Sequence, residues 1–360
     1  MKHLRRKLSE LFQKGISFIL KVKPDDKVLV VHHKDVDGLV SAVILLRTFE
    51  RVGLKVTKVI ASSNEEMGGV IKKIKNFDKT IILDIDICYL KKQLIKLEKD
   101  VLLIDHHPPR ANLNTKRMVY INPRLEHPEV YQPVSYVIYK FLSEILILKD
   151  IEWLAALGTV GDYGFRDCKD LLKKWIDVKN IDLKNGGGLP KIPFWKNVKM
   201  LNGAIMELGF NKTLQILKEA SSLGAVMKDR EIKKSYKIFN KKLKELEKEF
   251  VKNAKTIEDV NLIISEIGSK HGALSSFFST EFATKHPNKI IVLIRKIGRK
   301  NTVNARYQGI GVDLGKIMEH STKGLNGGGG HLHAAGATIL AKNKDIFKER
   351  LIRELKRVLA

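Results

Sequence analysis

Three short apolar runs near the start of this chain each end in acidic or histidine side chains. Residues 27–31 precede the segment HHKDVDG (32–38), residues 79–83 precede Asp84, and residues 101–104 precede the segment DHH (105–107). Runs of this length, separated by apolar helical patterns, are typical of buried parallel strands joined by helices. The sequence therefore predicts an α/β fold with a doubly wound, mostly parallel sheet. Ligands bind such sheets at the carboxyl ends of the strands, where these side chains are expected to meet.

The chain is predicted to contain two α/β parts joined by a helix. Residues 1–23 carry leucine and isoleucine at helical spacing, which predicts an amphipathic helix packed on the following domain, residues 24–225. Residues 226–256 are rich in Lys and Glu with interspersed apolar residues. That pattern predicts a long helical linker, or alternatively a coiled-coil arm. Residues 257–360 predict a second, smaller α/β domain.

The chain carries a large positive charge. Its 66 Lys and Arg residues against 40 Asp and Glu residues give a formal net charge of +26, which makes polyanions natural partners. Because the lysines are spread along the chain, an alternative interpretation is that the positive charge serves only to keep the protein soluble. The two cysteines, Cys88 and Cys168, are far apart and predict a cytoplasmic protein without a disulfide framework. No apolar run is long enough to span a bilayer, so no membrane partner is expected.

Eight acidic and histidine residues are candidates for one site. They are His33, Asp35, Asp37, Asp84, Asp105, His106, His107 and Asp162. Carboxylates brought together without partners repel one another, and divalent cations relieve that repulsion. Carboxylates with a few imidazoles suit Mn²⁺, with Mg²⁺ as the alternative, and two such cations can share a carboxylate and activate a hydroxide. Asp84, at the centre of the predicted sheet edge, is the natural shared carboxylate.

These residues also have purely structural interpretations. Asp35 fits the cap of a helix that starts near Gly38, and Asp162 fits a turn between two glycines. The metal site is favoured because the structural interpretation needs several independent coincidences.

A glycine run near the end of the chain indicates a second kind of binding site. Gly328, Gly329 and Gly330 expose backbone N–H groups that let a phosphate approach closely. Arg306 and His331 can add charge-assisted donors to that phosphate. A flexible turn is the alternative interpretation of the same glycines.

In their order along the chain, these motifs resemble those of the DHH phosphoesterase superfamily with its DHHA1 domain. The matching segments are HHKDVDG, ILDID, IDHHPP, GTVGD, NARY and GGGGHLHAAGA, and the resemblance covers residues 27 to about 340, nearly the whole chain. The chain most resembles compact archaeal RecJ-like nucleases and nano-RNase-type enzymes. The resemblance implies a metal-binding catalytic domain, a DHHA1-like substrate-binding domain and an active site in the cleft between them.

The resemblance also implies a role for each candidate residue. It places His33, Asp35 and Asp84 around one Mn²⁺, and Asp37, Asp84, His106 and Asp162 around the other. Asp105 would orient His106, and His107 would face the scissile phosphate. Arg306, His331 and the glycines before it would hold a substrate phosphate. Two departures from the family pattern leave alternatives open: His32 competes with His33 as the first-motif ligand, and His333 is either an extra donor or idle.

The predicted function is that of a metal-dependent phosphodiesterase. It would hydrolyse single-stranded DNA or RNA from an end through a hydroxide activated by two metal ions. The alternative is a nano-RNase, pAp phosphatase or cyclic-dinucleotide phosphodiesterase that acts on short nucleotides. A non-catalytic scaffold among replication or repair proteins is a third interpretation, which the presence of every candidate metal ligand disfavours. The choice between DNA and RNA and the polarity of digestion stay open.

Overall fold

The computed structural model describes residues 10–177, 192–272, 274–330 and 332–359. The chain divides into two compact units. The first unit is Met1–Val178 with Phe194–Tyr236, and the second is Lys179–Pro193 with Lys237–Ala360. The finer domain boundaries drawn from the sequence, before residues 24, 226 and 257, stay a prediction.

The first unit is built on a five-stranded parallel sheet. Its strands are β1 (Val28–His33), β2 (Lys58–Ser62), β3 (Lys79–Leu83), β4 (Asp100–Ile104) and β5 (Met118–Ile121), in the spatial order β2-β1-β3-β4-β5. All neighbouring strands pair in parallel. The strand order changes direction between β1 and β3. At such a switch point, the carboxyl ends of an open α/β sheet form a ligand-binding crevice.

Helices cover both faces of this sheet. The helices of the unit are α1 (Glu10–Leu20), α2 (Val36–Arg51), α3 (Met67–Ile74), α4 (Lys91–Lys96), α5 (Val134–Leu142), α6 (Glu152–Gly161), α7 (Lys169–Leu172), α8 (Pro193–Glu219) and α9 (Leu223–Lys228). Alternate strand residues such as Leu29, Ile82 and Leu103 pack with α3 and α4. The residues between them, such as Val30 and Ile81, are equally buried, and α1, α2 and α5 also contact the sheet. Burial on both faces explains why each strand is continuously hydrophobic.

The second unit contains a six-stranded mixed sheet. Its strands are β6 (Lys255–Ile257), β7 (Leu262–Ile267), β8 (Ile290–Ile297), β9 (Lys300–Arg306), β10 (Gly328–Gly330) and β11 (Ala334–Leu340), in the order β10-β11-β9-β8-β7-β6. Strands β7 and β8 pair in parallel, and the other neighbours pair antiparallel. Two helices, α12 (Leu314–Thr322) and α13 (Lys344–Leu359), share an apolar core with this sheet. Helix α11 (Leu274–Lys285) contacts β8 and β9.

The predicted fold class is confirmed, with a doubly wound parallel sheet and a second α/β unit. The linker predicted over residues 226–256 contains the end of α9 and the long helix α10 (Arg230–Asn253). Asp229 separates the two helices, and its carboxylate accepts a hydrogen bond from the Ile232 N–H at 2.9 Å. None of the described helices is both long and apolar enough to cross a membrane.

The glycine run forms a strand and not the flexible turn given as its alternative interpretation. Gly328–Gly330 form the edge strand β10, which pairs antiparallel with β11, and the phosphate-binding role of these glycines stays a prediction. The register places Gly329 opposite Gly336. Glycine is a poor strand former, so the glycine-rich composition of residues 328–330 did not predict a strand.

Candidate metal centre

In the segment that follows β1, the backbone of Gly38 packs closely against the backbone of His33. Asp35 is the N-cap of α2: its Oδ1 accepts a hydrogen bond from the Gly38 N–H at 2.8 Å, while its Oδ2 lies 2.6 Å from His33 Nδ1. A Cβ at position 38 would lie 2.7 Å from the backbone N and O of His33, so only glycine permits this approach. The capping and ligand interpretations of Asp35 are therefore compatible, since each uses a different carboxylate oxygen.

Asp37 lies in the first turn of α2 and is almost fully buried. Its Oδ2 accepts a hydrogen bond from the Val134 N–H at 2.7 Å, and its Oδ1 accepts one from the Ser135 N–H at 3.0 Å. These donors begin α5, where the first N–H groups of a helix have no partner within the helix. The carboxylate thus stabilises the start of α5 and is fixed in position by it.

Asp84 lies at the centre of the cluster, directly after β3. Its backbone adopts a positive φ of 66°, and its N–H donates to the Ile104 carbonyl oxygen at 2.9 Å. Its Oδ1 is 3.2 Å from His106 Nε2, and its Oδ2 is 3.8 Å from His33 Nδ1. The buried Oδ2 makes no hydrogen bond with any residue that the structure describes. A buried acceptor of this kind needs a partner, and a bound cation supplies one.

The residues after β4 pair differently from the expectation. Asp105, which was expected to orient His106, instead accepts a hydrogen bond from Nδ1 of His107 at 2.7 Å. The other oxygen of Asp105 lies 3.4 Å from the Tyr120 hydroxyl. Asn122 donates to the backbone oxygen of His107 at 2.9 Å and so fixes the same loop. Asp105 therefore positions His107.

Asp162, the C-cap residue of α6, completes the cluster. Its Oδ2 lies 3.5 Å from His106 Nε2 and accepts a hydrogen bond from the Tyr131 hydroxyl at 2.6 Å. The Tyr131 ring also lies 5.1 Å from the His106 ring, centroid to centroid. Tyr131 is not among the residues predicted from the sequence, since its only sequence signal is its place just before α5.

The eight candidate residues come together at the carboxyl edge of the sheet. Three groups have ligand atoms within 4.8 Å of one another: His33 with Asp35 and Asp84, Asp37 with His106 and Asp162, and Asp84 with His106 and His107. Asp84 and His106 each belong to two of these groups. The arrangement is a candidate acidic metal-binding cluster with Asp84 between its two sides.

His32 lies outside these groups. Its side chain is buried, its Nδ1 lies 2.7 Å from the backbone oxygen of His33, and its ring packs edge-on against Phe210. Burial lowers the pKa of His32 to about 4. Of the two adjacent histidines, His33 is the one whose ring lies beside Asp35 and Asp84.

Sequence comparison identifies both units. Residues 27–159 match the DHH family, N-terminal domain, and residues 259–357 match the DHHA1 domain. The chain belongs to the DHH family. The resemblance carried by the motifs is thereby confirmed, and the fold is that of DHH-family phosphoesterases. A comparison with curated proteins gives no match.

Solved structures share the fold of this DHH-family chain. RecJ from Thermus thermophilus in complex with Mn²⁺ matches at 17% identity with a TM-score of 0.71, over 96% of this chain and 55% of RecJ. An exopolyphosphatase-related protein from Bacteroides fragilis matches at 14% identity with a TM-score of 0.61, over 97% of this chain and 98% of that protein. The pGpG-specific phosphodiesterase PggH from Vibrio cholerae matches at 15% identity with a TM-score of 0.54, over 92% of this chain and 99% of that protein. The chain thus spans about half the length of the Thermus RecJ.

Crowding shapes the protonation of the DHH-domain carboxylates. Burial and the charges of neighbouring carboxylates raise the pKa of Asp84 and of Asp162 well above its usual value. Burial and the charge of Asp35 raise the pKa of Asp37 to about 6. Burial opposes ionisation of Asp35 as well, but the charge and hydrogen bond of His33 outweigh it and lower the pKa of Asp35. In the absence of cations, ionisation of all these carboxylates is unfavourable because their charges repel one another. This set of carboxylate and imidazole donors therefore fits divalent cations.

In the DHHA1 domain, hydroxyl groups of α11 hold the guanidinium of Arg306. Its Nε donates to Thr280 Oγ1 at 2.9 Å, and its Nη2 donates to Ser276 Oγ at 2.9 Å. Strand β11 lies between β9, which ends in Arg306, and the glycine strand β10, so both belong to one sheet. His331 lies outside the described residues. His333 Nδ1 lies 3.0 Å from the backbone oxygen of Tyr307, a contact within the domain.

Proposed function

We propose that this DHH-family chain is a phosphodiesterase that hydrolyses single-stranded DNA or RNA from an end with the help of two divalent cations. The observation that carries the proposal is the position of Asp84. Its two oxygens point to different partners, His33 on one side and His106 on the other. A carboxylate in this position can be shared by two cations.

The residues that would hold the cations are those that the family resemblance implies. Two of the close groups support them, namely His33 with Asp35 and Asp84, and Asp37 with His106 and Asp162. His33, Asp35 and Asp84 would hold one, and Asp37, Asp84, His106 and Asp162 would hold the other. When bound, two divalent cations polarise a phosphoryl oxygen and supply a nucleophile at neutral pH. The mixed set of carboxylates and imidazoles favours Mn²⁺, with Mg²⁺ as the alternative.

His107 is suited to donate a proton to the oxygen that leaves the phosphorus. Burial lowers its pKa, but the hydrogen bond and charge of Asp105 outweigh burial and raise the pKa to about 9. In the metal-free protein this pKa favours the protonated form of His107 at neutral pH. Since its Nδ1–H is engaged by Asp105, the proton available for transfer is on Nε2. Asp105 would act as the positioning residue for this acid.

The substrate class is supported by the charge of the chain and by the DHHA1 domain. A net charge of +26 favours binding of phosphate-rich strands. Arg306, Gly328, Gly329, Gly330 and His331 would hold a substrate phosphate. The alternative is hydrolysis of short nucleotides, favoured by the shared fold of the pGpG-specific phosphodiesterase at 15% identity.

A series of substrates of graded length tests the proposal. The purified protein is incubated with Mn²⁺ and end-labelled DNA and RNA, from dinucleotides to long single strands, and in parallel with pAp and cyclic dinucleotides. Progressive shortening of the strands is the expected result. Turnover of dinucleotides, pAp or cyclic dinucleotides alone would instead establish the short-nucleotide alternative. Absence of turnover of every substrate with both Mn²⁺ and Mg²⁺ would favour a non-catalytic scaffold.

The Asp84→Asn variant links the activity to the cluster. Loss of the shared carboxylate should lower turnover by about 10²- to 10⁴-fold, because several kcal/mol of transition-state stabilisation depend on the cations. Asp100→Asn is the matched control. Asp100 begins the adjacent strand at the opposite edge of the sheet and pairs with Lys79 at 2.5 Å. Equal activity of the two variants would contradict the assignment.

A further inference from the structure

Helix α10 carries a row of lysines along one face. Five of them, Lys237, Lys241, Lys244, Lys248 and Lys252, are exposed and follow one another at intervals of four, three, four and four residues. This spacing keeps them on a single stripe of an α-helix. Over these residues the stripe is about 22 Å long. We call it the lysine row.

The opposite face of α10 forms an apolar core with α11 in the second unit. Phe239, Leu243, Leu246 and Phe250 are buried at spacings of four, three and four residues. Phe250 packs against Phe278 and Phe282 of α11. Because the buried stripe fixes the rotation of the helix, the lysine row faces away from that core.

Two of the carboxylates of α10 lie beside the buried stripe and not in the lysine row. Glu247 and Glu249, beside the buried stripe, pair with residues of other elements, namely Lys285 and His271. Glu245, at the edge of the row, is exposed and is the one acidic residue of α10 that borders Lys241 and Lys248 on the exposed face. None of the five lysines forms a salt bridge with a carboxylate in the part of the chain that the structure describes.

A row of this kind opposes helix stability. Like charges three and four residues apart repel each other, and a face that serves only solubility normally carries both signs. α13 has such a mixed face, where Arg357 pairs with Glu354 at 2.9 Å. A bound polyanion would relieve the repulsion along α10, whereas a solvated face would not.

We infer that the lysine row binds the sugar–phosphate backbone of a single nucleic-acid strand, an inference that rests on the proposed nuclease function. Lysine is a flexible point charge, which suits contacts to phosphates without reading the bases. Binding through the row is therefore electrostatic and independent of sequence. Long strands engage it, whereas a dinucleotide is too short to follow it. The row is thus a site that distinguishes long from short substrates.

The test compares two triple variants of the full-length protein with equal changes of charge. K241Q/K244Q/K248Q removes the centre of the row, and glutamine keeps the helix propensity. K72Q/K73Q/K75Q is the control, because it removes three exposed lysines from the end of α3. Circular dichroism checks the fold, and K241Q/K248Q replaces the triple variant if that variant is misfolded.

Binding is measured first, without metal, so that hydrolysis does not contribute. Fluorescence anisotropy of a labelled long single strand is recorded in EDTA over a range of salt concentrations. Each phosphate contact adds about 0.7 to the slope of log K against log salt for single strands, so the row variant should lose about 2 from this slope. The same relation predicts roughly tenfold to 100-fold weaker binding at about 0.1 M salt. Equal slopes for the row variant and the control variant would overturn the inference.

Hydrolysis and vesicle binding separate the remaining outcomes. With Mn²⁺, the row variant should show a raised KM for long strands and an unchanged rate on dinucleotides. If the wild type shortens no strand, the proposed function fails, whatever the binding slopes show.

Vesicles of phosphatidylserine and phosphatidylcholine test a membrane as the polyanion. Loss of vesicle binding with unchanged strand binding in the row variant would overturn the inference.

Discussion

Tyr131 touches two residues that we propose as ligands of one cation. Its hydroxyl donates to Asp162 at 2.6 Å, and its ring lies 5.1 Å from that of His106. The chain around it is fixed, since the Tyr131 N–H donates to Asp167 Oδ2 at 2.8 Å. Groups that orient metal ligands in this way are typically worth 10- to 100-fold in metal affinity or activity, as an order of magnitude. Tyr131 is therefore a positioning residue for this side of the cluster.

The Tyr131→Phe variant should bind Mn²⁺ about 10- to 100-fold more weakly, because the Asp162 carboxylate loses the donor that orients it. Isothermal titration calorimetry with Mn²⁺ measures this directly and does not depend on knowing the substrate. Tyr139→Phe is the control, because it removes a similar hydrogen bond, from the Tyr139 hydroxyl to Glu152 at 2.9 Å, outside the cluster. Wild-type Mn²⁺ affinity in Tyr131→Phe would show that the hydroxyl serves only local structure.

At this scale the sequence predicted which acids and histidines converge but not how they pair. Convergence follows from topology, because parallel strands bring their carboxyl ends to one edge. The partner of Asp105 depends on side-chain rotamers in the loop after β4, which place it on His107 at 2.7 Å and not on the ring of His106. Tyr131 escaped detection for the same reason, since it reaches Asp162 across 31 positions of sequence.

Among elements, the apolar strands were the most predictable. The run over residues 79–83 predicts β3, and the observed strand is Lys79–Leu83. Helix α11 does not stand out in the sequence because polar residues such as Ser275 and Ser279 are buried along with Phe278 and Phe282. Their hydroxyls donate to backbone oxygens of Gly272 and Ser276, so burial does not leave them without partners. An amphipathic pattern cannot reveal a helix that buries both kinds of residue.

Glu249 connects α10 to the segment after β7. It accepts hydrogen bonds from the Gly268 N–H at 2.7 Å and from His271 Nε2 at 2.9 Å, and Lys270 lies 3.6 Å away. The hydrogen bond from the Gly268 N–H, together with the one from His271, lowers the pKa of Glu249 below the ordinary value of 4.5. The ionised form is therefore favoured in the folded state, and it stabilises the protein above the ordinary pKa.

The Glu249→Ala variant should lose about 1 kcal/mol of unfolding free energy at pH 7, because hydrogen bonds to a charged group are lost. This difference should shrink as the pH falls below the ordinary pKa of 4.5 and through the lowered pKa of the folded state, since the wild-type carboxylate then becomes protonated and loses the same stabilisation. Urea denaturation followed by circular dichroism, at pH 7 and at acidic pH, measures the difference in unfolding free energy. Glu245→Ala, an exposed residue of the same helix, should show neither effect. A constant difference between wild type and Glu249→Ala at all pH values would contradict the argument.

At the scale of the whole molecule, the metal cluster opposes the stability of the fold that builds it. Five carboxylates, those of Asp35, Asp37, Asp84, Asp105 and Asp162, lie within or beside the candidate ligand groups. Like charges in partly buried positions repel each other, and the raised pKa values of Asp84 and Asp162 are one result. The same repulsion makes the folded chain a good ligand for divalent cations, because ligands that bind only the folded state stabilise it.

Mn²⁺ should therefore raise the thermal stability of the metal-free protein. At 100 times the dissociation constant, a ligand of the folded state contributes about 2.7 kcal/mol, which corresponds to a rise of roughly 5–10 °C in Tm for a domain of this size. Calorimetry of EDTA-treated and dialysed protein, with and without Mn²⁺, measures the shift. Asp84→Asn removes the shared ligand and should lose most of it, whereas Asp100→Asn should keep it. An equal shift in wild type and Asp84→Asn would place the stabilising Mn²⁺ elsewhere on the chain, because the cluster would then contribute nothing to binding.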